Sequence, residues 1–310
     1  MVKTVKGWLP RLFQAIQLFI YRMVKRVRRI VSGQTQVARI CGEGGSANGQ
    51  AVVHSAAMTI ALWKEWATSK KLHQLFVDRA QDPAMDINDT ADQICGTKKI
   101  SDTPVVTENL KRCLGNIKVV NKFIVSVQAH SSKSFDKDNA EHESKLEELW
   151  ELLRPGTKRE GGRYSKEWGR IGFQQSDPAS DFRGGGMLGL DQLLYFARTR
   201  TSVARRMISE PSTETKRYPW ACVGINLTME AKRILEERML DGQLYGISNM
   251  RAMVIFNELY ANMFEILHAR WIAAKPENVL AFPPVLKEAL EAINREVAET
   301  GSLVPPGTSA

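Results

Sequence analysis

The stretch Met250–Ala274, MRAMVIFNELYANMFEILHARWIAA, sets Phe256, Leu259, Tyr260, Met263, Phe264, Leu267 and Trp271 at steps of three and four residues. That spacing gathers the large apolar side chains on one side of an α-helix and does not alternate as a half-buried strand would. Working outward, the same period recurs. Residues 51–79 lack Pro and Gly and carry Ile60, Leu62, Trp63, Trp66, Leu72, Leu75 and Phe76 at helical spacing, with Pro83 beyond them as a stop. Further helices are expected over 89–96, 105–114 and 119–130, the last two a few residues apart and therefore packed neighbours. Asp138 or Asn139 can cap a helix whose stripe is Leu146, Leu149, Trp150, Leu152 and Leu153, and Pro155-Gly156 closes it. Helices over 227–240 and 284–299 complete the pattern. No 20–50-residue repeat and no convincing strand is present. The expected fold is mainly α: a single multi-helix domain over 32–299, preceded by a basic amphipathic helix within 1–31 and followed by a disordered tail, 300–310.

The composition, 43% hydrophobic and 25% charged over 310 residues, is that of a globular chain. The net charge of +9 is not spread over the sequence. The first 42 residues hold nine Lys or Arg and no acid, and the remainder is balanced at 34 of each sign. A nucleic-acid binder carries its basic stripe on the folded surface, so no nucleic-acid partner is expected. Leu12, Ile16, Phe19, Ile20, Met23, Val24 and Val27 are interleaved with basic residues, and Arg11 and Arg22 bound an apolar run too short to span a bilayer. This is the pattern of a helix lying in the headgroup layer, with Arg22, Lys25, Arg26, Arg28 and Arg29 meeting anionic lipid. Docking of the same stripe onto the core is the alternative. The expected location is cytoplasmic, peripheral on an intracellular membrane; an Arg-rich, acid-free start is also compatible with mitochondrial association. Cys41, Cys95, Cys113 and Cys222 are scattered and read as reduced thiols.

Two motif fragments fail on chemistry, and a third motif is absent. His142-Glu143 lacks the second histidine of a zinc site, since Leu146 stands four residues on, and no metal is expected. No GxxxxGK[ST] occurs, so the chain should not hydrolyse nucleotide itself. Gly184, Gly186 and Gly189 satisfy GxGxxG, but a polar turn precedes them where a dinucleotide site needs a buried strand; they read as backbone adaptors for a tight turn and close approach.

The informative segment is Trp168–Leu190, WGRIGFQQSDPASDFRGGGMLGL. Asp177-Pro178 starts a turn, Ser180 or Asp181 can bond nearby backbone, Gly184 to Gly186 permit positive φ, and Trp168, Ile171, Phe173 and Phe182 pin the loop to the core. Arg183 is thereby a guanidinium on a rigid turn, suited to carboxylate or phosphate. On the residues alone, an ion pair with Asp177 or Asp181 is the better reading.

The pattern Trp-x3-Gly-Phe-Gln-x3-Pro-x-Ser-Asp-Phe-Arg-Gly resembles the signature of ELMO-domain (engulfment and cell motility) proteins. SGQTQVARIC (32–41), HESKLEELWELLRP (142–155), YPWACVGIN (218–226), NELYANMFEILHARW (257–271) and AFPPVLKEAL (281–290) extend the resemblance along most of the chain. It is to the short, single-domain branch, and it implies a GTPase-activating protein (GAP) for Arf-family (Arf/Arl) small GTPases. Arg183 stands at the position of the proposed catalytic arginine. Trp168, Gly172, Phe173, Gln174, Pro178, Ser180, Asp181, Phe182 and Gly184 would support the loop. Ser180 replaces the usual threonine and keeps the hydroxyl. No cofactor is implied for the chain, because Mg²⁺ and GTP belong to the partner GTPase, which lacks only a cation over the phosphoryl oxygens. The alternative is a non-catalytic helical adaptor for small-GTPase signalling in which Arg183 is structural.

Overall fold

The computed structural model describes residues 8–42, 53–100, 103–210 and 213–303. Among the described residues there are thirteen α-helices and no strand: α1 (Trp8–Ser32), α2 (Gln36–Gly42), α3 (Val53–Thr68), α4 (His73–Arg79), α5 (Ile87–Lys98), α6 (Pro104–Ser132), α7 (Ala140–Leu153), α8 (Gly186–Thr199), α9 (Thr201–Ser209), α10 (Trp220–Glu236), α11 (Asp241–Leu244), α12 (Asn249–Ala273) and α13 (Phe282–Thr300). The mainly α expectation holds. Packing groups the chain into two compact units, residues 1–119 and 120–310, a division the sequence pattern does not announce because it falls within α6.

In the first unit, the stretch expected as one helix over 51–79 is broken between α3 and α4. The Ser69 amide still bonds the Glu65 carbonyl, but the Ser69 hydroxyl is held by the Lys98 ammonium at 2.6 Å, and Leu72 turns fully inward. Around it, Leu62, Trp66, Ile94, Leu110 and Leu114 are fully buried, and Trp63 and Trp66 set their edges on Phe76 at 5.0 and 5.6 Å. The helices expected over 105–114 and 119–130 are one helix, α6. Gly115 in its interior costs about 1 kcal/mol relative to alanine, and the buried face of Leu110, Leu114 and Ile117 outweighs that.

The second unit is built around α12. Phe256, Tyr260, Met263, Phe264, Leu267 and Trp271 are each completely buried, against α8, α10 and α13. The Phe264 ring lies 5.1 Å from Phe196 and 5.2 Å from Trp220, and Tyr218 stacks on Phe282 at 5.0 Å. Gly224 is what lets α10 approach so closely: a Cβ there would meet Leu193 Cδ2 at 2.5 Å and Tyr260 Oη at 2.7 Å. Helix α8, absent from the sequence expectation, buries ten of its fourteen residues. Its first turns are apolar on every side, and its polar face is confined to Asp191, Tyr195 and Arg198, too short a stripe to mark a period. Helix α10 starts at Trp220, not at 227. At the C-terminus Gly301 caps α13 with φ +71, Leu303 is buried and its carbonyl accepts from Asn262 Nδ2 at 2.8 Å. The start of the expected disordered tail is thus placed; residues 304–310 lie outside the described residues.

Candidate functional site

The loop that carries Arg183 is fixed first by its rings. Trp168, in the 3₁₀ turn Lys166–Ile171, is fully buried; its indole donates to the Arg163 carbonyl at 2.9 Å and meets Trp150 and Phe173 edge-on at 5.4 and 5.7 Å. Phe173 in turn packs on Phe182, which stacks on Phe135 at 5.8 Å. Gly172 ends the turn at φ +89, where a Cβ would stand 2.1 Å from Trp220 N and 2.6 Å from Pro219 C. Only glycine fits, and its carbonyl accepts the Cys222 amide at 3.2 Å, tying the loop to α10. Beside it, burial first and the Asp181 carboxylate second push the Cys222 thiol up to about 12, so it stays neutral at physiological pH.

The second 3₁₀ turn, Pro178–Arg183, is capped by Asp177, whose carboxylate accepts the Ala179 amide at 2.9 Å and pairs with Arg163 at 2.8 Å. The Ser180 hydroxyl donates to the Asp177 carbonyl at 2.9 Å, and Asp181 accepts the Gln174 amide at 2.8 Å. Pro178 is buried at the first helical position. Gln174 supports the loop through its backbone only; its side chain is exposed. Gly184 has an ordinary φ of −81, and a Cβ there would have nothing within 4 Å, so the left-handed position is not at this residue. It is at Gly186, φ +54, where a Cβ would fall 2.3 Å from the Ser131 carbonyl oxygen. Gly186 is the close-approach residue of the GxGxxG run, and the Met187 amide then bonds the Lys133 carbonyl at 2.8 Å.

Arg183 itself is exposed. Its Nε donates to the Ser180 carbonyl at 2.7 Å, which fixes the plane of the guanidinium; among the described residues its terminal nitrogens have no hydrogen-bond or ion-pair partner. The expected ion pair with Asp177 or Asp181 is not formed, because both carboxylates are engaged by backbone amides, and Asp177 by Arg163 as well. Structural arginines of the same unit look different. Arg200 binds Glu258 at 2.8 Å and also Glu265, and Arg163 binds Glu143 at 2.7 Å. A cavity of about 400 Å³ opens beside Arg183, with Lys232 of α10 on its wall. Nothing in the sequence pattern marks Lys232, which reads as one of many solvated helix cations. His142 is a core residue, 2% exposed, accepting the Asp136 amide at 2.9 Å, and no metal-holding cluster occurs among the described residues.

On α1, Ile16, Phe19, Ile20, Met23, Val24, Val27, Ile30 and Val31 are all exposed, Phe19 at 64% and Val31 at 83%. At 3.6 residues per turn, Lys25 lies about 200° round the helix from Val27, and it turns to the body. Its ammonium contacts both oxygens of the fully buried Glu65 at 2.7 Å, where the Tyr21 hydroxyl donates at 3.2 Å and Lys98 at 3.0 Å. Arg26, Arg28 and Arg29 are exposed, whereas Lys25, expected to meet lipid, is an internal anchor; the side chain of Arg22 lies outside the described residues. No helix among the described residues is long and apolar enough to cross a membrane.

The segment that builds this all-α unit and its ring-anchored double turn matches the model of a known protein family. The ELMO/CED-12 family profile covers residues 125–286, inside the second unit. ELMO domain-containing protein B of Dictyostelium discoideum is 30% identical over 87% of this chain and 93% of that protein. ELMO domain-containing protein 1 of Mus musculus is 31% identical over 94% and 92%, and ELMO domain-containing protein 2 of Bos taurus is 37% identical over 56% and 59%. No solved structure matches. The chain belongs to the ELMO/CED-12 family, which is linked to small-GTPase signalling.

Proposed function

We propose that the chain is a GTPase-activating protein for Arf-family (Arf/Arl) GTPases, with Arg183 as an arginine finger and α1 as its contact with an anionic, cytoplasm-facing membrane. The observation that carries the reading is the state of Arg183: plane fixed through Nε, terminal nitrogens unengaged, side chain exposed. An adaptor in which this residue were structural would enclose it as Arg200 is enclosed. The partner brings the phosphate-binding loop, Mg²⁺ and the oriented water, and the reaction lacks only a cation over the phosphoryl oxygens. A guanidinium there accelerates hydrolysis by about 10³ to 10⁵ fold, roughly 4–7 kcal/mol of transition-state stabilisation. Because the Ser180 carbonyl already orients Arg183, little of that is lost to ordering the side chain. The exposed apolar stripe of α1, flanked by Arg26 and Arg28, supports the membrane half of the reading.

Single-turnover GTP hydrolysis by a panel of purified Arf and Arl proteins tests it, with wild type and Arg183→Lys. The wild type accelerates at least one member. Arg183→Lys, which lacks the planar fork, retains the melting temperature and loses nearly all stimulation. Full activity in a well-folded Arg183→Lys or Arg183→Ala protein overturns the finger.

A further inference from the structure

The cavity next to Arg183 has a second cation that the arginine-finger chemistry does not use. It is walled by the end of α6 (Ser131, Ser132), by Phe182 and Arg183, and by Lys232, and no carboxylate lines it. Its volume of about 400 Å³ is at the lower end of the roughly 300–1,000 Å³ of ligand sites. The shape is held open by backbone: Gly186 abuts the Ser131 and Lys133 carbonyls, and the Met187 amide is bonded to Lys133. The serine hydroxyls cannot serve an anion as donors, since Ser131 and Ser132 both donate to the Gln128 carbonyl at 2.9 Å. Ser134 also lines the cavity as an exposed hydroxyl, and the charged groups on its wall are Arg183 and Lys232. The Lys232 side chain is 20% exposed and forms an i,i+4 ion pair with Glu236 at 3.7 Å, without a hydrogen bond, while Glu236 accepts from Gln128 at 2.7 Å. The Lys232 ammonium makes no hydrogen bond among the described residues; its paired carboxylate is shared with Gln128, so the ammonium's donors stay open toward a cavity that no carboxylate lines.

We propose that Lys232 is a specificity-determining docking residue: it receives an acidic side chain of the partner GTPase, on a loop that enters this cavity beside the phosphoryl site reached by Arg183. The inference rests on the arginine-finger reading, which brings the partner's surface against this wall whenever Arg183 is inserted. A carboxylate suits the geometry. One compact ammonium on a flexible stem makes a point contact and not the bidentate cradle that a phosphate favours. A contact made equally in the ground and transition states changes KM and leaves kcat alone.

The test is steady-state GAP kinetics of the full chain, varying the GTP-loaded Arf-family protein that responds best. Lys232→Glu is expected to raise KM at least tenfold with kcat within a factor of two. Lys232→Met should be intermediate, and Lys232→Arg near wild type. Raising salt should raise KM for wild type more than for Lys232→Met. Arg183→Lys shows the opposite split, kcat falling and KM holding, so the two ideas fail separately. An unchanged KM in Lys232→Glu with a dead Arg183→Lys removes Lys232 and leaves the finger. A raised KM with full activity in Arg183→Lys removes the finger and leaves the dock. Two further results overturn the proposal: a fall in kcat tracking a fall in melting temperature, which makes Lys232 structural, and weaker sedimentation with anionic vesicles at unchanged KM, which makes it a lipid contact. A panel in which no GTPase is bound or stimulated overturns both.

Discussion

Two glycines of the loop motif, twelve residues apart, should respond to alanine in opposite ways. At Gly172 three costs combine. The φ of +89 imposes about 1–2 kcal/mol on any L-residue. The new methyl would fall 2.1 Å from Trp220 N and 2.6 Å from Pro219 C, backbone atoms that cannot swing aside, so α10 must shift, at about 1–3 kcal/mol for an overpacked site. That shift breaks the bond from the Cys222 amide, worth about 0.5–1.5 kcal/mol. Even the lower ends of these ranges total about 2.5 kcal/mol, or a fall of roughly 5–10 °C in melting temperature for a unit of this size. At Gly184, with φ −81 and open space around the Cβ position, alanine costs nothing in the folded state. It stabilises by about 0.4–1 kcal/mol through the unfolded chain. Thermal and urea denaturation of Gly172→Ala, Gly184→Ala and wild type decide the matter. A Gly172→Ala protein within about 1 kcal/mol of wild type refutes the close-approach argument.

The helix α1 predicts an uneven response among its cations: replacing Arg26, Arg28 and Arg29 by Glu abolishes co-sedimentation with anionic vesicles, at about 1 kcal/mol per cation, while Lys25→Met leaves the salt dependence of binding nearly intact. Equal losses from both refute the assignment of Lys25 to Glu65. Burial alone would raise the Asp191 carboxyl, but hydrogen bonds from His130 at 2.7 Å and from Lys145 at 3.0 Å outweigh it and hold the group below its ordinary value. A depressed carboxylate contributes stability that is complete above the unfolded value near pH 4 and is lost as pH falls through the folded one. Asp191→Asn should flatten the acid limb of a melting-temperature profile taken from pH 7 down to pH 2; an unaltered acid limb counts against it.

The parts of this fold legible in the sequence are those where one face of a helix is wet. The stripes of α7 and α12 and the Asp177-Pro178 turn can be read directly, because period and capping chemistry are local. Helix α8 is invisible for the opposite reason: it opens on glycines that read as loop, and its first turns are buried on every side, which leaves only Asp191, Tyr195 and Arg198 as a polar face. Helix α9 offers only Ala204, Met207 and Ile208 as a buried face, one short stripe among arginines. At the site, the rings and the turn were readable and the state of Arg183 was not. Whether Asp177 and Asp181 bond a guanidinium or an amide depends on where the chain brings Arg163 and Gln174, which no local pattern encodes. Glu65 carries no signal at all, since its partners Tyr21, Lys25 and Lys98 lie tens of residues away.

The anchoring of α1 through Glu65 turns a familiar rule inside out. An amphipathic helix on a protein ordinarily spends its greasy side on the core, and a membrane can claim that side only after the helix has been pried loose. Here the grip is on the cationic side, through Tyr21 and Lys25, and the greasy side already looks outward. On the membrane reading, attachment then requires no detachment step and carries no conformational penalty of its own. On that reading the decision to bind passes from the protein to the bilayer, with the density of anionic headgroups and the looseness of their packing as the switch.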